Sequence, residues 1–262
     1  MEFEDRYRPA PRPKYDCLLF DYMVEKLGIE ETKIPDMCNL LYKHYGTTMA
    51  GLRAIGYNFD YDDYHSFVHG RLPYDRLKPD PVLRHLLLSL PIRKIFTNAD
   101  KVHAAKVLSK LGLEDCFEGI ICFETLNPPS DSSSPSNSPA TADVFDILEH
   151  FSGPDAGSGL PKTPVRCKPS TDAMEHALKL ANINPQRTIF FDDSVRNIQS
   201  GKRIGLLHTV LVGTSHRVKG ADHALENIHN IREALPELWE DAEKSEDVRY
   251  KGKVAIETSV TA

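Results

Sequence analysis

The chain has 262 residues, 40% of them hydrophobic and 27% charged, and carries a net charge of -6 at pH 7. That length can bury a full core, and the acidic balance excludes the basic surface that nucleic acid or an anionic membrane would require. No apolar run approaches the ~20 residues needed to span a bilayer.

Residues 1–14 hold prolines and alternating charges and read as a loose tail. Their opening, Met1-Glu2-Phe3-Glu4-Asp5-Arg6, lacks the charged-then-apolar order of a secretory signal. The expected location is the cytoplasm, with the nucleus as a second place. "YDCLLF" at 15–20 reads as a buried strand that ends on Asp21 and runs directly into a helix. From 22 to 79 the pattern is helical and aromatic-rich. "IPDMCNLLYKHYG" sets Ile34, Met37, Leu40, Leu41 and Tyr45 on one face, and "DYDDYHSFVHG" is a second short helix closed by Gly70. This stretch is expected to be a separate helical cap.

From Asp80 the rhythm alternates. "DPVLRHLLLSL" is a helix, "IRKIFT" a strand, "KVHAAKVLSKLGL" a helix and "EGIICF" a strand. "STDAMEHALKLANI" (helix), "RTIFF" (strand), "VRNIQSGKRIG" (helix) and "HTVLVG" (strand) complete the series. Short apolar strands between amphipathic helices predict an α/β fold: a Rossmann-like, three-layer parallel sheet covered on both faces. With 15–20 that makes five strands, in a core of 15–21 and 80–240. Residues 127–160, with "NPPSDSSSPSNSP" and "SGPDAGSG", read as a Ser/Pro/Gly-rich insertion around one short amphipathic piece, Val144 to Phe151. Residues 241–262 read as a polar tail. The five cysteines (17, 38, 116, 122 and 167) are odd in number and never spaced C-x-x-C, so reduced thiols are expected instead of a disulfide frame or metal cluster.

Polar groups stand at the predicted strand ends: Asp21, Thr97-Asn98, Lys168 in "CKPS", and Asp192-Asp193-Ser194. Carboxyl ends of parallel strands share one edge, so these groups can converge on one crevice. Carboxylates there suit Mg²⁺, a lysine and a hydroxyl suit phosphoryl oxygens, and an aspartate can attack phosphorus.

This ordered set resembles the haloacid dehalogenase superfamily of aspartate-nucleophile phosphohydrolases. "YDCLLFD", "IFTNADKVHAAKVL", "CFEGIICFETLN", "CKPS" and "FFDDSVRNIQSGKRIG" are similar to its pyrimidine 5'-nucleotidase group, which includes the suppressor-of-disruption-of-TFIIS-like proteins. The resemblance implies a Mg²⁺-dependent hydrolase of a small phosphate ester, a pyrimidine nucleotide, with no nucleic acid or membrane partner. Asp21 falls on the nucleophile and metal position, Thr97 on the phosphate-binding hydroxyl, Asn98 beside it, and Lys168 on the charge-stabilising lysine. Asp192 and Asp193 fall on the acidic metal pair.

The match breaks at the first motif. The family has D-x-D-x-T, but here Asp21-Tyr22-Met23-Val24-Glu25 puts Met23 where the general acid/base belongs. A segment of the family pattern is missing after Asp21, and Asp21 itself is either the nucleophile or a residue of the helix beyond the gap. The expected function is therefore an impaired phosphohydrolase, with a non-catalytic remnant that binds phosphate or a protein partner as the alternative. A phospho-receiver domain would carry its acid pair on the first strand, and a dinucleotide-binding domain would need G-x-G-x-x-G after it.

Plainer roles stand beside these. Asp21 can cap a helix beginning at Tyr22, Thr97 and Asn98 can cap the next helix, Lys168 can be a loop lysine, and Asp192-Asp193 a turn. The cap aromatics Tyr42, Tyr45, Tyr57, Phe59, Tyr61, Tyr64 and Phe67 either stack on a base or form the cap's own core. His65 and His69 read as surface or core histidines in preference to ligands.

Overall fold

The computed structural model describes residues 14–90, 92–129, 144–153 and 157–239. The expected tails at 1–14 and 241–262 lie outside these residues, apart from Lys14, and so do 130–143 and 154–156 of the insertion expected at 127–160. No helix among the described residues is long and apolar enough to cross a membrane.

The chain opens with a helix, α1 (Lys14–Glu25), and this corrects the strand expected at 15–20. Four consecutive apolar residues, Cys17 to Phe20, fit either a strand or a helix, so the decision falls to Tyr22 and Met23. Leu18, Leu19, Tyr22 and Met23 are the buried set, spaced on one helical stripe, while Cys17 and Asp21 face solvent. Asp21 therefore sits in mid-helix, neither ending a strand nor capping a helix at Tyr22.

The buried stripe of α1 packs with α2 (Ile34–Tyr45), α3 (Thr48–Ala54) and α4 (Tyr61–Val68) around Ile34, Leu41, Leu52, Ile55, Tyr64 and Val68. Tyr22 lies edge-on to Tyr64 and Phe67, with ring centroids 5.0 and 5.4 Å away. The aromatics of this unit are thus largely its own core. The first helix belongs with this helical unit, not with the sheet. Asp60 caps α4 by accepting from Asp63 N at 2.8 Å, and Thr47 caps α3 by accepting from Ala50 N at 3.1 Å.

After α5 (Pro81–Leu88) comes the α/β part, Rossmann-like with parallel strands and helices between them. β1 (Lys94–Phe96) leads through α6 (Lys101–Leu111) to β2 (Gly119–Ile121), paired in parallel with Ile95 opposite Ile120. The short α7 (Phe123–Leu126) is next. The amphipathic piece of the insertion forms α8 (Ile147–Ser152), with Ile147 fully buried in the helical unit. Then come α9 (Thr171–Leu180), β3 (Ile189–Asp192), α10 (Val195–Arg203), β4 (His208–Val212), β5 (His223–Leu225) and α11 (Ile231–Ala234). β3, β4 and β5 form one parallel sheet in that order. The described residues hold five strands, as expected, but the set differs, since β5 takes the place given to 15–20.

The two sheets are not hydrogen-bonded to each other. Between β1 and β3 lies a slot of about 790 Å³ lined by Ile95, Phe96, Ile121, Ile189, Phe190 and Leu238. A smaller cavity of about 190 Å³ opens beside the same strands under α5. Apolar strand residues of this kind fit the middle of a sheet, and Lys94, Glu118 and Arg187 also line the slot.

Candidate functional site

The carboxyl ends of β1 and β3 bring four of the expected residues together. β1 runs out into Thr97-Asn98, and Asn98 grips the Lys168 backbone from both sides. Its Oδ1 accepts from Lys168 N at 2.8 Å, and its Nδ2 donates to Lys168 O at 3.1 Å. Asn127 holds Arg166 in the same way, at 2.8 and 3.0 Å. Two asparagines thus fix the segment that delivers the Lys168 side chain.

Lys168 is fully buried. Its Nζ donates to Asp192 Oδ2 at 2.8 Å and to Phe96 O at 3.0 Å. Phe96 ends β1 and Asp192 ends β3, so the ammonium joins two strand ends that share no ladder. Asp192 Oδ1 accepts from Ser194 N at 2.8 Å and from Asn197 Nδ2 at 2.9 Å. Burial opposes ionisation of Asp192, but the Lys168 charge and the hydrogen bonds from Lys168 and Ser194 outweigh it and hold the carboxyl below its ordinary value. Thr97 accepts from Ala99 N at 3.1 Å through Oγ1.

A cavity of about 140 Å³ lies between the helical unit and this edge. Thr97, Asn98, Ser194 and Asn197 line it from the sheet side, and Tyr15, Thr48, His65 and His69 from the helical side. Asp21 does not line it. Met23 is fully buried in the helical core with its Sδ 3.4 Å from Cys38 Sγ.

The same cavity exposes a cluster that the sequence reading left as ordinary histidines. His65, His69 and Asp100 are all buried, and His103 lies behind His69 with ring centroids 4.6 Å apart. Burial first, then the neighbouring His69, pushes His65 down to about 4. His103 is likewise pushed down to about 3. Both imidazoles are therefore neutral at pH 7. The i, i+4 spacing of His65 and His69 was visible in the sequence, but Asp100 comes 31 residues after His69, and nothing local signals that meeting.

Residues 129–205 match the family model for haloacid dehalogenase-like hydrolases. The matched segment is under a third of the chain. It contains Lys168, Asp192 and Asp193, and at this superfamily level the motif resemblance holds. The chain is 26% identical over 220 residues to phosphate metabolism protein 8 of Saccharomyces cerevisiae, covering 80% of this chain and 57% of that protein. The chain thus spans just over half the length of the curated relative it matches. Among solved structures, a HAD phosphatase from Thermococcus onnurineus aligns with a TM-score of 0.46 at 15% identity, over 84% of this chain and 86% of that one. L-2-haloacid dehalogenase from Xanthobacter autotrophicus aligns at 0.45 and 12%, over 85% and 93%.

Haloacid dehalogenase-like hydrolases generally use Mg²⁺, which wants about six oxygen ligands. Both oxygens of Asp192 are engaged by Lys168, Ser194 and Asn197, and Asp21 is exposed on α1. Among the described residues, the three potential metal ligands that do gather are His65, His69 and Asp100.

Proposed function

We propose that this chain is a phosphohydrolase of haloacid dehalogenase type whose catalysis is impaired, retaining part of a phosphate-ester site at the β1/β3 edge. The substrate class is a phosphate monoester, and within it a pyrimidine nucleotide, as the motif resemblance implies. The name of the yeast relative links that protein to phosphate metabolism and supports the same class. Residues 80–240 would serve as the core and the helical unit as the cap, in the cytoplasm.

The observation that carries the reading is the separation of Asp21 from the cluster of Thr97, Asn98, Lys168 and Asp192. Asp21 is exposed on a helix, whereas that cluster is drawn together at the strand ends. A nucleophile held away from phosphorus forfeits the ~7–11 kcal/mol that positioning can supply. With Met23 buried, the general acid/base contribution of ~10²–10⁴ in rate is lost as well. Thr97 lines the cavity with a hydroxyl, a group suited to phosphoryl oxygens. The 140 Å³ space is below the ~300 Å³ at which ligand pockets usually begin, so a whole nucleotide requires the helical unit to open.

The test is an assay of the purified chain with Mg²⁺ on p-nitrophenyl phosphate, UMP and CMP. Turnover at background, unchanged by Asp21→Asn, is expected. Robust turnover abolished by Asp21→Asn would overturn the impairment and restore Asp21 as nucleophile.

A further inference from the structure

His65 and His69 stand four apart at the end of α4, so their imidazoles share one helical face. Asp100 meets them from the start of α6. Its Oδ1 is committed to capping that helix, accepting from His103 N at 2.8 Å. Its Oδ2 is aimed at the pair, 2.5 Å from His69 Nδ1 and 3.5 Å from His65 Nδ1. One donor atom from each of the three lies within 4.8 Å of the others.

His65 supplies the independent observation. It is only 6% exposed, yet neither of its ring nitrogens has a hydrogen-bond partner. Folded proteins seldom leave such atoms unsatisfied, and an orphan of this kind calls for an ion or a water as its partner. The 3.5 Å from His65 Nδ1 to Asp100 Oδ2 is long for a hydrogen bond. It is close to the ~3.3 Å expected between two donors each bound at zinc distance in a tetrahedral shell.

We propose that His65, His69 and Asp100 form a binding site for a divalent transition-metal ion, Zn²⁺ foremost, whose open coordination position faces the 140 Å³ cavity. Two imidazoles and one carboxylate suit ions of this class and select against Mg²⁺, which prefers oxygen. Three protein ligands with an open fourth position is the pattern of metal sites that receive water or substrate. The cavity lies where that position would open, since His65 and His69 both line it. The short His69–Asp100 contact must lengthen by under ~1 Å for both to reach one ion. Behind the ligands, His103 N donates to Asp100 Oδ1 and helps to hold that carboxylate in place.

The experiment uses the full chain, stripped of metal by chelation and dialysed at neutral pH. Co²⁺ is added and its visible d–d bands recorded, and Zn²⁺ is titrated by calorimetry with and without excess Mg²⁺. One Zn²⁺ per chain, intense Co²⁺ bands of a low-coordinate site, and indifference to Mg²⁺ are expected. His65→Gln makes the sharpest variant because the ring nitrogens of His65 hold no hydrogen bond that the fold would lose. It and His69→Gln should each weaken Zn²⁺ binding at least tenfold while circular dichroism stays unchanged. His208→Gln, from the histidine pair on β4 and β5, should leave binding intact. Absence of Co²⁺ bands and Zn²⁺ heat in the unaltered chain would overturn the proposal. So would Zn²⁺ binding that neither His65→Gln nor His69→Gln weakens, or that Mg²⁺ displaces, leaving the cluster a packing arrangement.

Discussion

Replacing Lys168 by methionine removes an ammonium that spans from Phe96 O on β1 to Asp192 on β3, at 3.0 and 2.8 Å. Both charged side chains have no solvent exposure, so water cannot take over from the lost partner. Breaking one side of a buried ion pair costs about 3–5 kcal/mol, because the other charge stays buried and uncompensated. Domains are stable by about 5–15 kcal/mol, so this is a large share of the whole. At roughly 2–4 °C per kcal/mol for a chain of this size, melting should fall by about 6–20 °C. Guanidinium unfolding can be followed through the single tryptophan, Trp239, which is buried against Leu235 and Val210.

Asp192→Asn keeps an acceptor for Ser194 and Asn197 while removing the charge, and the double variant completes a cycle. The double should lose less than the sum of the singles, with a coupling energy of about 1–3 kcal/mol. Acid adds a second readout. The Asp192 carboxyl is held below its ordinary value in the fold, so it binds its proton less readily folded than unfolded. Its contribution is full above the unfolded value of about 3.9 and is lost as pH falls through the lower folded value. The unaltered chain should therefore destabilise more steeply in acid than Asp192→Asn. A Lys168→Met chain within ~1 kcal/mol of the parent, with an additive cycle, would refute the bridging role.

Three further outcomes rest on local geometry. Cys17 is the exposed thiol of α1 and should react first with a thiol reagent, ahead of buried Cys116, Cys122 and Cys167 and of Cys38, whose thiol burial pushes up to about 12; protection of Cys17 would instead favour a buried strand at 15–20. Gly46→Ala puts a Cβ 2.5 Å from Lys168 O at a φ of +93°, so a loss of roughly 1–3 kcal/mol in denaturant titration is expected, and a neutral result would mean the Lys168 loop moves freely. Tyr22 is pushed up to about 12 by burial, then by the charge and hydrogen bond of Asp63. Its contribution is full below pH ~10 and lost as pH rises toward 12. Tyr22→Phe should flatten that alkaline loss, and an unchanged slope would assign it elsewhere.

How far the sequence could be read depended on how many residues each decision had to work with. "RTIFF" and "HTVLVG" are apolar, short and bounded by helices, and they are β3 and β4. "HAL" at 223–225 is three residues long with a polar start, and only pairing with β4 makes it a strand. "CLLF" is a run that both periods accept, and Tyr22 and Met23 decide for the helix by continuing the stripe onto α4. The strand ends pointed to Thr97, Asn98, Lys168 and Asp192, and Lys168 contacts both Asn98 and Asp192. What they could not convey is that Lys168 spends its charge on Asp192 and a strand carbonyl, because that depends on what lies between β1 and β3.

The placement of α1 and the state of the candidate site are one structural fact seen twice. A parallel strand edge presents backbone donors and acceptors that must be satisfied by a neighbour, a side chain or water. The facing edges of β1 and β3 share no ladder, and the slot between them is walled by Ile95, Phe96, Ile189 and Phe190. The sheets stay together by packing, with Phe191 of β3 touching both the cluster around Leu108 and Leu113 and the cluster around Val210 and Leu235. At the carboxyl end, packing gives way to the Lys168 ammonium, which satisfies Phe96 O and neutralises Asp192. With Asp21 held on the solvent face of α1, the Lys168 ammonium is engaged in holding the two strand ends together. The impairment proposed above and the Lys168–Asp192 bridge therefore both go with residues 15–20 lying in a helix outside the sheet.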